Sequence, residues 1–103
     1  MSRLLDDDEI SRALEDLPGW SRDGDTIRAS YRSPAFLDAI GLVTRVADEA
    51  EQMNHHPDID IRWTTTTWGL STHDAGGLTQ LDVELAHRIA QAAAASGATP
   101  DGG

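Results

Sequence analysis

Apolar and polar positions along this chain repeat with two different periods, and the changes of period mark out its elements. Ile10, Ala13, Leu14 and Leu17 recur at helical spacing, which predicts a first helix from about Asp7 to Leu17. Asp6 with Glu9 three residues on makes an acidic variant of the capping box, and Pro18-Gly19 stops the helix. The period then drops to two. Trp20-Ser21-Arg22 starts a short strand, Asp23-Gly24 signals a hairpin turn, and Thr26 to Arg32 returns. On that return strand Ile27, Ala29 and Tyr31 take one face, and Thr26, Arg28, Ser30 and Arg32 take the other.

The second half repeats this grammar. Ser33-Pro34 reads as an N-cap with proline at the first helical position. Phe36, Ile40, Val43, Ala47 and Ala50 follow as one apolar stripe, with Leu37 beside it. That helix is expected to end near Asn54, because Pro57 disfavours helical geometry at His56. In the next hairpin Ile59, Ile61 and Trp63 alternate, a turn is expected within Thr64–Thr67, and Trp68, Leu70 and Thr72 alternate again. Thr79 with Asp82 three residues on, flanked by Leu78 and Val83 as a hydrophobic staple, opens a last helix. It runs to about Ala95 and stops at Ser96-Gly97. The expectation is an α+β fold of order α-β-β-α-β-β-α, a two-layer structure whose four-stranded antiparallel sheet is covered by helices on one face. Residues 1–96 are expected to form a single domain, and 97–103 a disordered tail. The uncovered sheet face must be solvated or buried against another copy.

Composition narrows the function. At 103 residues the chain is long enough for one modest core. No apolar run approaches the roughly 20 residues of a membrane span, and the start MSRLLDDDEI resembles neither a secretory signal nor a transit peptide, so the cytoplasm is the expected location. Formal charge is −10, all eight positive residues are arginine, and there is no cysteine. Those absences exclude a cysteine nucleophile, a Schiff-base lysine and a P-loop lysine. The acidity argues against direct nucleic-acid binding.

Chemistry concentrates in Glu51-Gln-Met-Asn-His55-His56-Pro57. Glu51 and His55 are four apart and share a helix face, while adjacent His55 and His56 diverge unless the helix unwinds before Pro57. A hairpin leaving just after His56 and returning to His73, in STHDAGG, can bring the three imidazoles together. Each also has a plain explanation. His55 can serve as a helix C-terminal cation, His56 can cap carbonyls, His73 can be a loop residue and Glu51 a solvated one. Asp82 is accounted for by its capping box, and His87 reads as surface. A metal site is the second reading, but adjacent histidines make a poor chelate, so acid–base work is favoured and no metal is expected.

Glu51-x-x-x-His55-His56-Pro57, then Trp63, His73 and Asp82 at their spacings, resembles the signature of pterin-4a-carbinolamine dehydratases, and LSTHDAGGLTQLDVELA extends the likeness into the last helix. The resemblance covers about residues 17–92 and implies the same fold order, assembly as a homodimer or homotetramer, and dehydration of 4a-hydroxytetrahydropterin to quinonoid dihydropterin. It implies that His55, His56 and His73 are catalytic, by general acid–base chemistry that needs no cofactor. Glu51 and Asp82 are then motif acids near or supporting the histidines at the substrate site, and main-chain groups around Ser71 and Thr72 can meet the pterin edge. It also admits two alternatives: a dimerisation partner of a transcription factor, and a molybdopterin-related relative. The chain has Asn54 where the family often has aspartate, and Ile59 where it often has an aromatic residue.

Overall fold

A computed structural model describes residues 3–101. Helix α1 spans Asp7–Glu15, strands β1 and β2 span Ser21–Asp23 and Thr26–Arg32, and helix α2 spans Phe36–Met53. Strands β3 (Asp58–Arg62) and β4 (Thr65–Leu70) follow, then a short 3-10 turn at His73–Ala75, helix α3 (Gln80–Ala95) and strand β5 (Thr99–Pro100). The sheet is antiparallel with order β1-β2-β4-β3, and β5 also pairs with β2. Among the described residues no helix is long and apolar enough to cross a membrane.

Period-two alternation sorts the two sheet faces. Ile27, Ala29 and Tyr31 of β2 and Trp68 and Leu70 of β4 point into a core with Leu42, Val46 and Ala50 of α2 and Leu85 and Ile89 of α3. The two buried indoles and the buried phenol are satisfied inside this layer. Trp68 Nε1 donates to Thr66 Oγ1 at 2.9 Å, and Trp20 Nε1 donates to the Tyr31 hydroxyl at 2.8 Å. Burial pushes the Tyr31 hydroxyl above its ordinary range, and the bond from Trp20 opposes that. On the opposite face the register sets Arg28 beside Gly69 and Asp58, and Ser30 beside Thr67 and Asp60. That face is polar throughout the central strands, and water suffices to cover it.

Several boundaries differ from expectation. Helix α1 ends at Glu15 because its last turn tightens, the Asp16 N–H bonding to Ala13 and the Leu17 N–H to Leu14, so Leu17 enters the core from a loop. Ser33 does not cap α2. Its N–H is committed to the Thr64 carbonyl at 2.8 Å, and the helix starts after Ala35 with no side-chain cap. The buried stripe of α2 is Ala39, Leu42, Val46 and Ala50, leaving Phe36, Leu37, Ile40 and Ala47 exposed. Helical periodicity defines a stripe, but two neighbouring stripes of α2 are apolar and only packing on the sheet selects between them. The second hairpin turns earlier, at Trp63-Thr64, with Trp63 at φ +58°, because Thr65, Thr66 and Thr67 are spent pairing with Arg32, Tyr31 and Ser30. Trp63 therefore caps the hairpin, 81% exposed, and does not continue the alternation of Ile59 and Ile61.

The largest correction is at the chain end. Gly97, at φ +83°, reverses the chain so that Ala98 is buried and β5 pairs with the end of β2. The Asp101 N–H bonds to the Ser30 carbonyl at 2.8 Å, so the segment expected to be a disordered tail packs on the sheet as far as this residue, with Thr99–Pro100 as strand. Gly102 and Gly103 lie outside the described residues. Part of β2's edge is left open by the short β1, and β5 fills it. Removing residues after Gly97 exposes that edge and the Ala98 site, and should cost about 1–3 kcal/mol. Chemical denaturation checks this, and an unchanged midpoint would contradict it.

At the other end α1 shows its caps in full. The Glu9 N–H bonds to Asp6 Oδ1 at 2.8 Å, and Glu9 Oε1 accepts from the Asp6 N–H at 3.0 Å. Arg3 grips the same carboxylate with both Nη atoms, at 3.0 and 2.8 Å. The Arg3 guanidinium, with the Asp6 N–H second, lowers the Glu9 carboxyl from 4.5 to about 2. Because the folded value is the lower one, its contribution is complete above the unfolded carboxylate range and is lost as pH falls through about 2. A carboxyl-detected NMR titration should therefore place the Glu9 midpoint well below that of a free glutamate. Arg3→Ala should move it up, and an unmoved midpoint in that variant would refute the assignment.

Candidate active site

The site forms where α2 unwinds. Asn54 adopts a left-handed conformation (φ 51°, ψ 42°), which asparagine tolerates better than most residues. Its N–H returns to Glu51 and that of His55 to Ala50, closing the helix end. Beyond this reversal the neighbouring imidazoles separate. His55 turns inward and is buried, whereas the His56 side chain is 56% exposed. Glu51 and His55 consequently do not share a partner. Glu51 Oε1 lies 3.5 Å from His56 Nε2, so the four-residue spacing gives way to the pair created by the break.

β4 carries the chain back from the hairpin to Ser71 and Thr72. The Thr72 N–H bonds to the Gly77 carbonyl at 2.9 Å, and the Thr72 carbonyl accepts from Ala75 and Gly76. Gly76, at φ +78°, lets the loop close this tightly. His73 and Asp74 stand exposed on the loop so formed. Asn54, His55, His56, Ser71, Thr72, His73 and Asp74 line one open hollow of about 220 Å³. Three of the four histidines in the chain meet there. His87 does not. It lies half-buried on α3, in a larger hollow of about 890 Å³ against α1, among Glu9, Arg12, Asp16 and Glu84.

Asp82 is the residue whose position says most. It is fully buried at the start of α3 and accepts from the Thr79 N–H at 2.9 Å, which completes the capping box with Thr79. The same carboxylate bonds His55 Nε2 through Oδ1 at 2.6 Å and Thr72 Oγ1 through Oδ2 at 2.8 Å. Asp82 is sealed from the hollow and reaches it through His55, and Glu51 stands outside it beside His56. Among the described residues no group of three or more His, Cys, Asp or Glu side chains is arranged to hold a metal ion. What the arrangement offers is imidazoles at graded depths, one anchored to a buried carboxylate and two facing water.

Sequence reasoning named the three histidines, Ser71 and Thr72, but treated Thr72 as a main-chain contributor and overlooked its hydroxyl. It also passed over Asp74 and the role of Asn54. Asn54 did carry a signal, since asparagine before a His-His-Pro run is well suited to a left-handed helix end. No local signal marks the Thr72 hydroxyl, because its partners lie on another element.

The family model described as pterin 4 alpha carbinolamine dehydratase matches residues 3–92. A Nocardia farcinica protein assigned as a pterin-4-alpha-carbinolamine dehydratase is 54% identical over 88 residues, covering 85% of this chain and 93% of that protein. A Mycobacteroides abscessus protein of the same assignment is 55% identical over 86 residues, covering 84% and 92%. The crystal structure of a transcriptional coactivator/pterin dehydratase from Brucella melitensis superposes with a TM-score of 0.86 at 29% identity, covering 88% of this chain and 99% of that one. A pterin dehydratase-like protein described as a RuBisCO assembly factor of the alpha-carboxysome shares the fold alone, with a TM-score of 0.60 at 15% identity over 72% of this chain and 86% of its own. By its match along nearly the whole length to the family model and to these relatives, the chain belongs to the pterin-4-alpha-carbinolamine dehydratase family of hydro-lyases.

Proposed function

We propose that this chain removes water from a 4a-hydroxytetrahydropterin by histidine acid–base catalysis, in the cytoplasm, regenerating the quinonoid dihydropterin for reuse by aromatic amino-acid hydroxylases. The observation that carries this reading is the meeting of His55, His56 and His73 around one hollow in a member of this family. In the reaction the N5–H proton leaves to a base, its electron pair forms the C4a=N5 bond, the C4a–O bond breaks, and an acid protonates the departing hydroxide. Nothing is oxidised or reduced, so an acid and a base suffice. Imidazoles near neutrality supply both.

The size of the hollow supports a flat ring system lodged against the imidazoles with its substituent in solvent. At about 220 Å³ it is smaller than a site that engulfs a whole ligand. Ser71, on the lining of the hollow, would meet the polar edge of such a ring, while the Thr72 main chain is spent on the loop. His56, beside Glu51 and open to water, suits proton exchange with solvent. Replacing His55, His56 or His73 by alanine should slow dehydration about 10- to 100-fold, the low end of acid–base contributions, because this carbinolamine also dehydrates unaided. His87→Ala, remote from the hollow, should leave the rate unchanged. Single-turnover dehydration of chemically generated 4a-hydroxytetrahydropterin measures this, with circular dichroism reporting the fold. Folded and fully active variants at all three positions would overturn the catalytic reading.

The reading includes assembly as a homodimer or homotetramer, on a different surface from the one the sequence suggested. The open sheet face is polar and has no need of a partner. Phe36, Leu37 and Ile40 of α2, the half-exposed Ile59 and Ile61 of edge strand β3, and Trp63 are the large apolar groups left in water on the second half of the fold. An unpaired edge strand bordered by such residues favours closure by another copy. Sedimentation velocity at micromolar concentration should give a dimer or tetramer, and Ile61→Lys should shift it toward monomer. A monomeric native protein would refute this part.

A further inference from the structure

The buried network behind His55 has only one consistent set of proton positions. The Asp82 carboxylate can only accept, so each of its three partners donates: His55 Nε2, Thr72 Oγ1 and the Thr79 N–H. Thr72 has a single hydroxyl hydrogen, and it is committed to Asp82. The 2.8 Å bond between the Thr72 and Thr79 hydroxyls therefore runs from Thr79 to Thr72. Thr79 Oγ1 accepts in turn from the Leu81 N–H at 3.2 Å. The chain of donors thus points one way, from the first turn of α3 through two threonines to the carboxylate. The main-chain bonds of Thr72 to Gly77, Ala75 and Gly76 fix the backbone from which its hydroxyl projects.

At its other oxygen Asp82 requires a proton on His55 Nε2. A neutral imidazole carries one proton, so Nδ1 is left with its lone pair free. Among the described residues Nδ1 has no partner, yet the one buried side-chain polar atom without a partner is Ser33 Oγ. Nδ1 is therefore not sealed, and the hollow shared with His56 and His73 is where the ring is open.

We propose that Thr72 and Thr79, acting through Asp82, hold His55 as its Nε2–H tautomer and so make Nδ1 the nitrogen that receives the proton from N5 of the substrate. After transfer His55 is an imidazolium that still donates to Asp82 through Nε2, while the hydroxide leaves with a proton from a second acid. Thr72, Thr79 and Asp82 are positioning residues, and His55 alone among these four meets substrate. The catalytic half rests on the dehydratase reading. The tautomer does not.

The test uses the full chain labelled with ¹⁵N, at about pH 9, where a free imidazole is neutral. Long-range ¹H–¹⁵N correlation should show His55, identified by its loss in His55→Gln, as the Nε2–H form. Thr72→Val keeps the side-chain shape but removes the donor to Asp82 and the acceptor for Thr79. It should bring in the Nδ1–H form and lower kcat about tenfold, with KM within about twofold. Thr72→Ser should restore both, which a purely structural role for the methyl group would not achieve. An Nδ1–H form in the native protein overturns the proposal, even if Thr72→Val fails to fold. A folded Thr72→Val with unchanged tautomer and kcat overturns it as well. An Nε2–H form in a chain that dehydrates no pterin would uphold the positioning network and sink the proposed function instead.

Discussion

A carboxylate sealed in a protein interior is tolerable only when its lone pairs are taken up, and Asp82 meets that demand from three directions at once. One donor is the first turn of α3, one is the loop after β4, and one is the end of α2. The same bonds that satisfy the charge thereby tie three separate elements together at the edge of the sheet. The site follows from this constraint. His55 is where it is because Asp82 requires a donor there, and the floor of the hollow is fixed because Thr72 is another.

The second condition is the break at the end of α2. In a continuing helix His55 and His56 would point about 100° apart along one rod. The left-handed Asn54 and the following Pro57 instead let one ring turn in toward α3 while the other stays in water next to Glu51. The tight turn held by Thr72 then sets His73 across from them. Two local chain reversals, one after a helix and one after a strand, together gather residues separated by a whole hairpin. The division leaves one ring held against a buried carboxylate and two open to solvent.

The sheet shows how the same alternation can serve different ends on its two sides. Central strands β2 and β4 are buried on one face and polar on the other, so their outward face requires no partner. Edge strand β3 obeys the same alternation, yet Ile59 and Ile61 stay half-exposed because no strand lies beyond it and the helices do not reach over it. Apolar surface is thus concentrated at an edge and along the outer side of α2, not across the open sheet.

The α+β class, the order of the seven main elements, both capping boxes and the approach of three histidines to one hollow were legible in the sequence, because these rest on local chemistry. A capping box is closed within four residues, a strand's alternation shows in its own side chains, and a proline restricts its own neighbour. Tertiary structure decided the rest. Which apolar stripe of α2 is buried depends on where the sheet lies. Whether Thr65 or Trp68 begins the strand depends on what β2 offers opposite. Whether the end of the chain is a tail or a strand depends on how much of β2's edge β1 leaves free. Asp82 joins the two cases. Its cap was legible because Thr79 is three residues away, and its hold on His55, 27 residues distant, exists only once the fold has closed.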